Sequence, residues 1–196
     1  MISFLIMLIA AYLIGAIPTG VVLTRLFGTA DIRKAGSGNI GATNVYRVAG
    51  KKLGILTLIG DALKGALPVL IAMKLMALGD AQVGAVAAAA FIGHCYPVYL
   101  GFKGGKGVAT ALGIYLVLSP LAVLGAFAVF ALVLWKWRYV SLSSISAAAA
   151  IPLLVYFIEG NLELVVTSLF IGLVVILRHH QNIQRLLSGS ENQFKA

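Results

Sequence analysis

Long apolar runs, separated by short polar loops, constrain the fold of this chain more than any other feature of its sequence. Hydrophobic residues make up 61% of its 196 residues and charged residues only 11%, whereas a soluble domain usually carries about 25% charged residues. A soluble chain of this length cannot bury so many apolar side chains, so the bilayer is the expected solvent. We therefore predict an all-α, polytopic membrane protein that forms a single domain over residues 1–196.

Seven of these runs are predicted to be transmembrane helices, and they cover residues 2–23, 53–78, 81–100, 108–118, 120–135, 140–158 and 162–177. Ser119-Pro120 separates the fourth run from the fifth, because the residue before a proline avoids helical geometry and proline often begins a helix. The fourth run is too short to cross roughly 30 Å of hydrocarbon at about 1.5 Å per residue. Either its helix extends back into the preceding glycine-rich loop, or the bilayer is thinned there. The first run lacks a basic leader and is expected to be a retained span.

Basic residues are divided unequally between the two sides that seven spans define. One side collects 13 of the 15 lysines and arginines, namely Arg25, Arg33, Lys34, Arg47, Lys51, Lys52, Lys103, Lys106, Lys136, Arg138, Arg178, Arg185 and Lys195. The other side holds Lys74, together with Asp80, Glu159 and Glu163. Because cytoplasmic loops carry the excess of lysine and arginine, we predict a cytoplasmic C-terminus and an N-terminus outside.

Five polar motifs lie on the predicted cytoplasmic side. They are AGSGNIGATNVYR (35–47), DALKG (61–65), GHCYPVYLGFKGGKGVAT (93–110), SLSS (141–144) and RHHQNIQR (178–185). Their hydroxyl, amide, imidazole and cationic groups, with few carboxylates, suit a phosphate dianion rather than a metal ion. Cys95 is the single cysteine, which excludes an internal disulfide and a cysteine-based metal cage, and we expect it to be a packing residue.

The stretch GSGNIG matches the spacing of a dinucleotide fingerprint, but its surroundings exclude that fold. Such a fingerprint requires a preceding strand and a βαβ unit, whereas here transmembrane runs leave no space for a parallel sheet. A glycine-rich connector is the simpler alternative. The density of polar side chains, among them Ser37, Asn39, Thr43, Asn44 and Arg47, instead favours an anion site in which glycines let backbone N–H groups converge.

The loop GFKGGKG resembles a Walker A motif but has the wrong spacing, since three residues separate Gly101 from Gly105 and a glycine follows Lys106. The last aspartate in the chain is Asp80, so the aspartate of an ATPase is also missing. Glycines that open a helix beside Lys103 and Lys106 still predict an anion site at a helix N-terminus. The alternative is that both lysines only follow the charge asymmetry of the loops.

The remaining polar residues keep structural alternatives. His179 and Asn182 are predicted to share one helical face, although a lone histidine there is equally compatible with an interfacial position. Ser143 and Ser144 could simply start the sixth span. Asp61 and Lys64 form a neutralising intramembrane pair or a functional one, and His94 has a packing role beside Pro97 as its alternative.

Two functional classes fit this inventory: an enzyme acting on a phosphorylated substrate, and a transporter or flippase for a phosphate-bearing solute or lipid. The motifs lie at one membrane face and not at the midplane, where transporter sites are found, which favours the enzyme. The acyltransferase motif His-x-x-x-x-Asp cannot be built, because the residues five beyond the three histidines are Tyr99, Gln184 and Arg185. The chain also lacks the aspartate cluster that a phosphotransferase of the CDP-alcohol type needs. Acyl transfer from an already activated donor, by positioning and charge neutralisation, remains.

The segments SGNIGATNVYR, DALKGALPV, GHCYPVYLGFKGGKGVAT, SLSS and RHHQNIQRLL resemble the bacterial acyl-phosphate:glycerol-3-phosphate acyltransferase family, in the family's motif order from about residue 15 to 187. The resemblance implies a seven-span enzyme of the bacterial cytoplasmic (inner) membrane with its active site on the cytoplasmic side. It implies acyl transfer from acyl phosphate to the 1-hydroxyl of sn-glycerol 3-phosphate, giving lysophosphatidic acid and phosphate. It also implies no metal, no cofactor and no dedicated protein base.

By motif position, the resemblance assigns catalytic roles to Ser37, Arg47, Lys106, Ser144, His179 and Asn182. Ser37 and the glycines around it would hold the acyl-phosphate end, and the other five would handle the phosphate of glycerol 3-phosphate. The expected substrate-binding residues are Gly38, Asn39, Gly41, Thr43, Asn44, Lys64, His94, Lys103, Gly104, Gly105, Gly107 and Ser143. The expected partners are glycerol 3-phosphate, acyl phosphate and bilayer lipids, with no nucleic acid, and a monomer is expected to be functional.

Overall fold

A computed structural model of the chain describes residues 1–194, and within that range every regular element is a helix. The prediction of an all-α fold is therefore confirmed for the described residues. Lys195, one of the basic residues assigned to the cytoplasmic side, lies outside them. The chain divides into two compact units, Met1–Val117 and a second that begins at Leu118.

The first unit contains six α-helices, the last of which continues one residue beyond it. They are α1 (Ile2–Ala16), α2 (Thr19–Leu26), α3 (Ala42–Ala49), α4 (Lys51–Leu70), α5 (Asp80–Cys95) and α6 (Val108–Leu118). A π-helical turn, Ile71–Leu75, extends α4, and a short 3₁₀ turn, Val98–Leu100, follows α5. Helix α3 lies within the stretch that the sequence predicted to be a loop, between the first two spans.

The first predicted span, 2–23, is not one straight helix. It divides at Ile17-Pro18 into α1 and α2, whose axes differ by 47°. Proline has no N–H to donate to the preceding turn and its ring clashes there, so a helix cannot continue straight through it. The ammonium of Lys64 on α4 donates to the carbonyl oxygen of Ile17 at 2.7 Å. A side chain from the second span thereby stabilises the break in the first.

Small residues allow the helices of the first unit to approach at backbone distance. A Cβ atom on Gly15 would overlap the backbone of Ala90, and one on Gly93 would overlap the carbonyl of Tyr12, so α1 and α5 each present a glycine to the backbone of the other. Between α4 and α6, the same holds for Gly113 against the carbonyl of Ala62. Close crossings at small residues are typical of membrane helices, which associate by packing rather than by the hydrophobic effect.

The predicted break at Ser119-Pro120 is confirmed. Helix α6 ends at Leu118 and α7 begins at Pro120. Helix α6 also begins at Val108, so it does not extend back into the glycine-rich loop, and its 11 residues span only about 16 Å. Of the two explanations for this short run, an extension of the helix is therefore wrong.

The second unit is built from α7 (Pro120–Trp137), α8 (Val140–Glu159), α9 (Leu162–Arg178) and α10 (His180–Leu187). Ser119 donates to the carboxylate of Glu159 at 2.6 Å, which connects the start of α7 to the end of α8. Helices α9 and α10 differ in direction by 56°, and His179 lies at the break between them. His179 is the N-terminal cap of α10, Asn182 follows three residues later in that helix, and both residues are buried.

Four helical segments are long and apolar enough to cross a membrane, and the number rises to six if each bent pair counts as one span. The four are Lys51–Leu75, Asp80–Leu100, Pro120–Trp137 and Val140–Glu159, and the bent pairs are α1 with α2 and α9 with α10. Helix α6 accounts for the difference from the seven predicted spans, because it is apolar but only 11 residues long.

Candidate functional site

The glycine-rich loop before α3 is organised by one buried side chain, Asn44. Its Nδ2 donates to the carbonyl oxygens of Ile32, Ala35 and Asn39 at 2.9, 3.2 and 2.8 Å, and its Oδ1 accepts from the N–H of Ser37 at 2.8 Å. Every polar atom of this amide is therefore directed at the backbone of the loop. Asn44 holds the loop in shape from inside the unit, where it is 2% exposed.

The same loop uses several of its own N–H groups. Gly38 donates to the carbonyl of Ala35 at 3.1 Å, and Gly41 donates to Oδ1 of Asn39 at 2.9 Å. Together with the N–H of Ser37, these three groups are not directed at an anion, in contrast to the predicted convergence of backbone donors. Gly36 has a φ of 61°, and a Cβ there would collide with Asn44. Gly36 thus allows the loop to fit around Asn44.

The groups that the loop presents outward are side chains. Ser37 is exposed within the loop, and Thr43 and Arg47 are exposed on α3. Helix α3 begins after Gly41 and places Arg47 in its last turn. The loop and α3 therefore expose two hydroxyl groups, those of Ser37 and Thr43, and the guanidinium of Arg47.

A buried charge cluster lies between α4 and α5. The Nζ atom of Lys64 lies 2.9 Å from Oδ1 of Asp61, and Nδ1 of His94 lies 3.8 Å from the same oxygen. All three side chains are no more than 5% exposed. A buried carboxylate requires such partners, so Asp61 and Lys64 do form a neutralising ion pair, and a functional role for Lys64 stays a prediction. The ammonium of Lys64, shared between Asp61 and the Ile17 carbonyl, acts within the fold.

The loop GFKGGKG is packed against this cluster. Gly105 donates its N–H to the carbonyl of His94 at 3.1 Å, and a Cβ on Gly105 would overlap the His94 ring. Gly104 fits in the same way against the carbonyls of His94 and Cys95, and Gly107, with a φ of 80°, fits against the ring of Phe91. The glycines bring the loop down onto α5, and Lys106 is left half-buried and Lys103 exposed beside the start of α6.

In the second unit, the predicted serines lie in the first turn of α8. Ser143 donates to the carbonyl of Tyr139 at 2.9 Å, and Ser144 donates to that of Val140 at 2.8 Å. This back-bonding is a common arrangement for hydroxyls in a helix. It leaves the hydroxyl oxygens as acceptors, so either serine would have to rotate its O–H group away from the helix to donate to a phosphate.

His179 lies at the break between α9 and α10, and the hydrogen bond of one ring nitrogen identifies which nitrogen carries the proton. Its Nδ1 is 2.7 Å from the carbonyl oxygen of Val175, and a carbonyl can only accept, so Nδ1 carries the proton. Nε2 is then the atom that gains or loses charge, and it can donate to an anion only when the imidazole is protonated. The residue is buried, at 3% exposed.

A carboxylate that the sequence did not single out, Glu191, lies among the predicted residues of the second unit. Its Oε1 accepts from Ser141 at 2.8 Å and from Nδ2 of Asn182 at 2.7 Å, and its Oε2 accepts from Nε of Arg185 at 2.7 Å. Burial raises the pKa of this carboxyl, but the hydrogen bonds from Ser141, Arg185 and Asn182 outweigh it and the net shift is downward. The available signal was a single acidic residue six positions after the end of the basic motif at Arg185.

The predicted site residues therefore fall into two groups, one in each unit. The first unit holds Ser37, Gly38, Asn39, Gly41, Thr43, Asn44, Arg47, Lys64, His94, Lys103, Gly104, Gly105, Lys106 and Gly107, and the second holds Ser143, Ser144, His179 and Asn182. Among residues 1–194, no group of three or more His, Cys, Asp or Glu side chains is placed to hold a metal ion. Both groups are rich in hydroxyl, amide and cationic donors, which are the groups that bind phosphate oxygens.

Comparisons with known proteins match this inventory. The sequence profile of the glycerol-3-phosphate acyltransferase family matches residues 5–189. The glycerol-3-phosphate acyltransferase of Syntrophotalea carbinolica is 84% identical over 196 residues, and that of Geotalea daltonii is 57% identical over 195 residues, each covering 100% of both chains.

Two solved structures also match over nearly the whole chain. Both are crystal structures of PlsY (YgiH), described as an integral membrane glycerol 3-phosphate acyltransferase. The glycerol 3-phosphate form has a TM-score of 0.94 and 44% identity, covering 98% of this chain and 96% of the other. The lysophosphatidic acid form has a TM-score of 0.92 and 43% identity, with the same coverage. Of the two functional classes that the sequence left open, the enzyme is therefore confirmed, and the chain belongs to the glycerol-3-phosphate acyltransferase family as an integral membrane acyltransferase.

Proposed function

We propose that this enzyme transfers a fatty acyl group from acyl phosphate to the 1-hydroxyl of sn-glycerol 3-phosphate, giving lysophosphatidic acid and inorganic phosphate. The observation that carries the acceptor and product is the likeness, at 44% and 43% identity, to structures that hold glycerol 3-phosphate and lysophosphatidic acid. In a bacterial cell this would be the first acylation of phospholipid synthesis.

Acyl phosphate as the donor is supported by what the chain lacks. Neither His94, His179 nor His180 is followed five residues later by an aspartate, so the dyad that activates a hydroxyl in other glycerolipid acyltransferases is absent. An acyl phosphate is a mixed anhydride with a good leaving group. The glycerol oxygen bonds to the acyl carbonyl carbon, the bond from that carbon to the phosphate oxygen breaks, and the departing phosphate takes the hydroxyl proton.

The proposed roles of the residues follow from charge and position. Two anionic substrates repel each other, so Arg47, Lys106 and a protonated His179 would offset that repulsion, with Asn182 and Ser144 donating to the acceptor's phosphate. Ser37, exposed on its braced loop, would face the donor. The other predicted residues would act through the shape of their loops, and Asn44 and Lys64 in particular through the backbone and charges they hold.

The wider setting is also part of the proposal. Seven spans, with the short α6 as one of them, would place the N-terminus outside and the polar motifs at the cytoplasmic face of the bacterial inner membrane. The division of 13 of the 15 basic residues to one side supports this orientation. We further propose that residues 1–196 act as one domain, that bilayer lipids accommodate the acyl chain and product, and that a monomer is functional.

The donor is tested with detergent-purified protein, a long-chain acyl phosphate and glycerol 3-phosphate. We expect phosphate release that depends on the acceptor and is unaffected by a metal chelator, and no lysophosphatidic acid from the matching acyl-CoA. Turnover with acyl-CoA, or loss of activity with the chelator, contradicts the proposal.

The phosphate-binding roles are tested in the same assay. Lys106→Ala and, separately, Arg47→Ala should each lower turnover by about 100-fold or more, as expected when a group that stabilises developing charge is removed. The exposed Lys52 on α4 provides a control, since Lys52→Ala removes one positive charge from the same unit without touching a proposed role. Folded variants with normal rates would show that these two cations do not serve the reaction.

A further inference from the structure

The carboxylate of Glu191 fixes the orientation of the Asn182 amide. An ionised carboxylate only accepts hydrogen bonds, so the end of Asn182 that lies 2.7 Å from Oε1 is the amino end. The two ends of a carboxamide have nearly the same shape, and only the hydrogen-bond partner distinguishes them. Glu191 takes one of the two N–H donors of Asn182 and thereby determines that the amide oxygen lies at the opposite end.

The carboxylate is itself held in place by the surrounding backbone. Ser190 donates its N–H to the carbonyl of Arg185 at 2.8 Å, and Phe194 donates its N–H to the carbonyl of Arg138 at 2.7 Å. These bonds secure the segment on both sides of Glu191, which has a side chain only 7% exposed. Because the backbone is fixed both before and after Glu191, its carboxylate can fix the orientation of the Asn182 amide.

Arg185 neutralises the charge of Glu191, which lies near a group that is proposed to bind an anion. An unpaired negative charge there would repel a phosphate. The Nε atom of Arg185 lies 2.7 Å from Oε2 of Glu191, so the pair carries no net charge. Glu191 can therefore orient Asn182 without opposing an anionic substrate.

We propose that Glu191 is a positioning residue for the acceptor substrate and acts through the amide of Asn182. The inference rests on the proposed function, in which Asn182 binds glycerol 3-phosphate. Glu191 does not touch the substrate. It accepts one N–H of Asn182 and so holds the amide in one orientation.

The test is the substitution Glu191→Gln, which keeps the shape of the side chain but replaces one acceptor oxygen by an amino group. A donor then faces at least one of the three groups that donate to the carboxylate, Asn182, Ser141 or Arg185, so the network that holds the Asn182 amide is weakened. We expect the KM for glycerol 3-phosphate to rise about tenfold, as for the loss of one hydrogen bond to a charged group, with kcat changed by less than about twofold. The matched control is Glu163→Gln, an exposed carboxylate in the first turn of α9, which should leave both constants unchanged.

KM separates this proposal from a purely structural role. A loss of folded protein lowers the apparent kcat and leaves the KM of the remaining folded enzyme unchanged, and that result would overturn the proposal. A lower KM would also overturn it, because it would mean that the carboxylate competes with the substrate for the same donors. If the wild-type protein shows no acceptor-dependent turnover, the proposed function fails and this inference fails with it, whereas an active wild type beside an unchanged E191Q enzyme overturns this inference alone.

Two milder variants keep the test decisive if E191Q does not fold. Glu191→Asp keeps both acceptor oxygens but withdraws them by one methylene, and Ser141→Ala removes one donor to Oε1 while leaving the charge in place. Each should raise the KM for glycerol 3-phosphate by about twofold to fivefold, as for a weakened hydrogen bond. An unchanged KM in both variants overturns the proposal.

Discussion

At the scale of single residues, buried amides and carboxylates fix the shape of loops that carry exposed functional groups. Asn44 and Glu191 make the same kind of contribution in different units. Each is buried and uses its polar atoms within the protein, and each holds a neighbouring segment that bears a proposed substrate-binding group. The sequence could identify Asn44, which lies in a dense polar motif, but as a ligand for substrate rather than as a brace. Glu191 has no such surroundings in the sequence, because its partners come from α8 and α10.

The bracing role of Asn44 can be measured. Asn44→Ala removes the partners of three carbonyl groups and one N–H group of the loop. At a net value of about 1 kcal/mol for each hydrogen bond, we expect a loss of roughly 2–4 kcal/mol in the free energy of unfolding. The melting temperature in detergent should fall by about 5–10 °C. Asn192→Ala, an exposed asparagine, is the control, and an equal melting temperature for the two variants would contradict the role.

Glu191 should make stability depend on pH in a defined direction. Its pKa in the folded protein lies below the ordinary value of 4.5, so the stabilisation it provides is present above about pH 4.5 and is lost as pH falls through the folded-state pKa. Arg185 is the charged group that faces it, while Ser141 and Asn182 are neutral donors. Thermal melting from about pH 6 to about pH 3 should show a steeper loss for the wild type than for E191Q, and parallel curves would exclude this contribution.

At the scale of helices, breaks and crossings decide how the polar groups are placed. The break at Ser119-Pro120 was predictable, because proline ended one long apolar stretch and began another. The break at Ile17-Pro18 was not, since the apolar run resumes after Thr19 and Gly20 and its whole length already suited one span. Helix α3 was missed because its eight residues follow a glycine-dense loop, in which composition indicates a turn. The crossings depend on glycine positions in two separate helices, which hydropathy alone does not pair.

The crossing of α4 and α6 gives a prediction at this scale. Gly113→Leu places a side chain where the carbonyl of Ala62 lies, so the two helices must separate or shift. We expect a loss of about 3 kcal/mol or more, since overpacking at a backbone contact has no flexible side chain to absorb it. The melting temperature in detergent measures this loss. Gly79→Ala serves as the control, because nothing lies within 4 Å of a Cβ at that position, and it should leave stability unchanged.

At the scale of the whole molecule, the all-helical membrane fold and the family were predictable from apolar runs and from motif order. The number of spans was harder to predict, because α6 has an apolar composition but half the usual length. The number of helices that are long enough to cross is four to six, and the seventh span of our proposal depends on α6.

The proposed orientation is testable by cysteine labelling, which the chain suits because its single cysteine, Cys95, is buried. In a Cys95→Ala background, Ser188→Cys and Thr29→Cys should react with a membrane-impermeant maleimide only after the cytoplasmic side is opened. Leu162→Cys should react from outside in intact cells, in keeping with the loop-charge rule. Labelling of positions 162 and 188 from the same side would exclude the seven-span arrangement.

The contact between Lys64 and the Ile17 carbonyl has a consequence for how the protein is made. Ile17 leaves the ribosome 47 residues before Lys64. During that interval the Ile17 carbonyl can accept from the nearby N–H of Thr19 but not yet from Lys64. In a bilayer, backbone groups that lack hydrogen-bond partners cost free energy. We therefore expect the bend at Ile17-Pro18 to reach its final form only when α4 has entered the membrane and Lys64 can donate to this carbonyl.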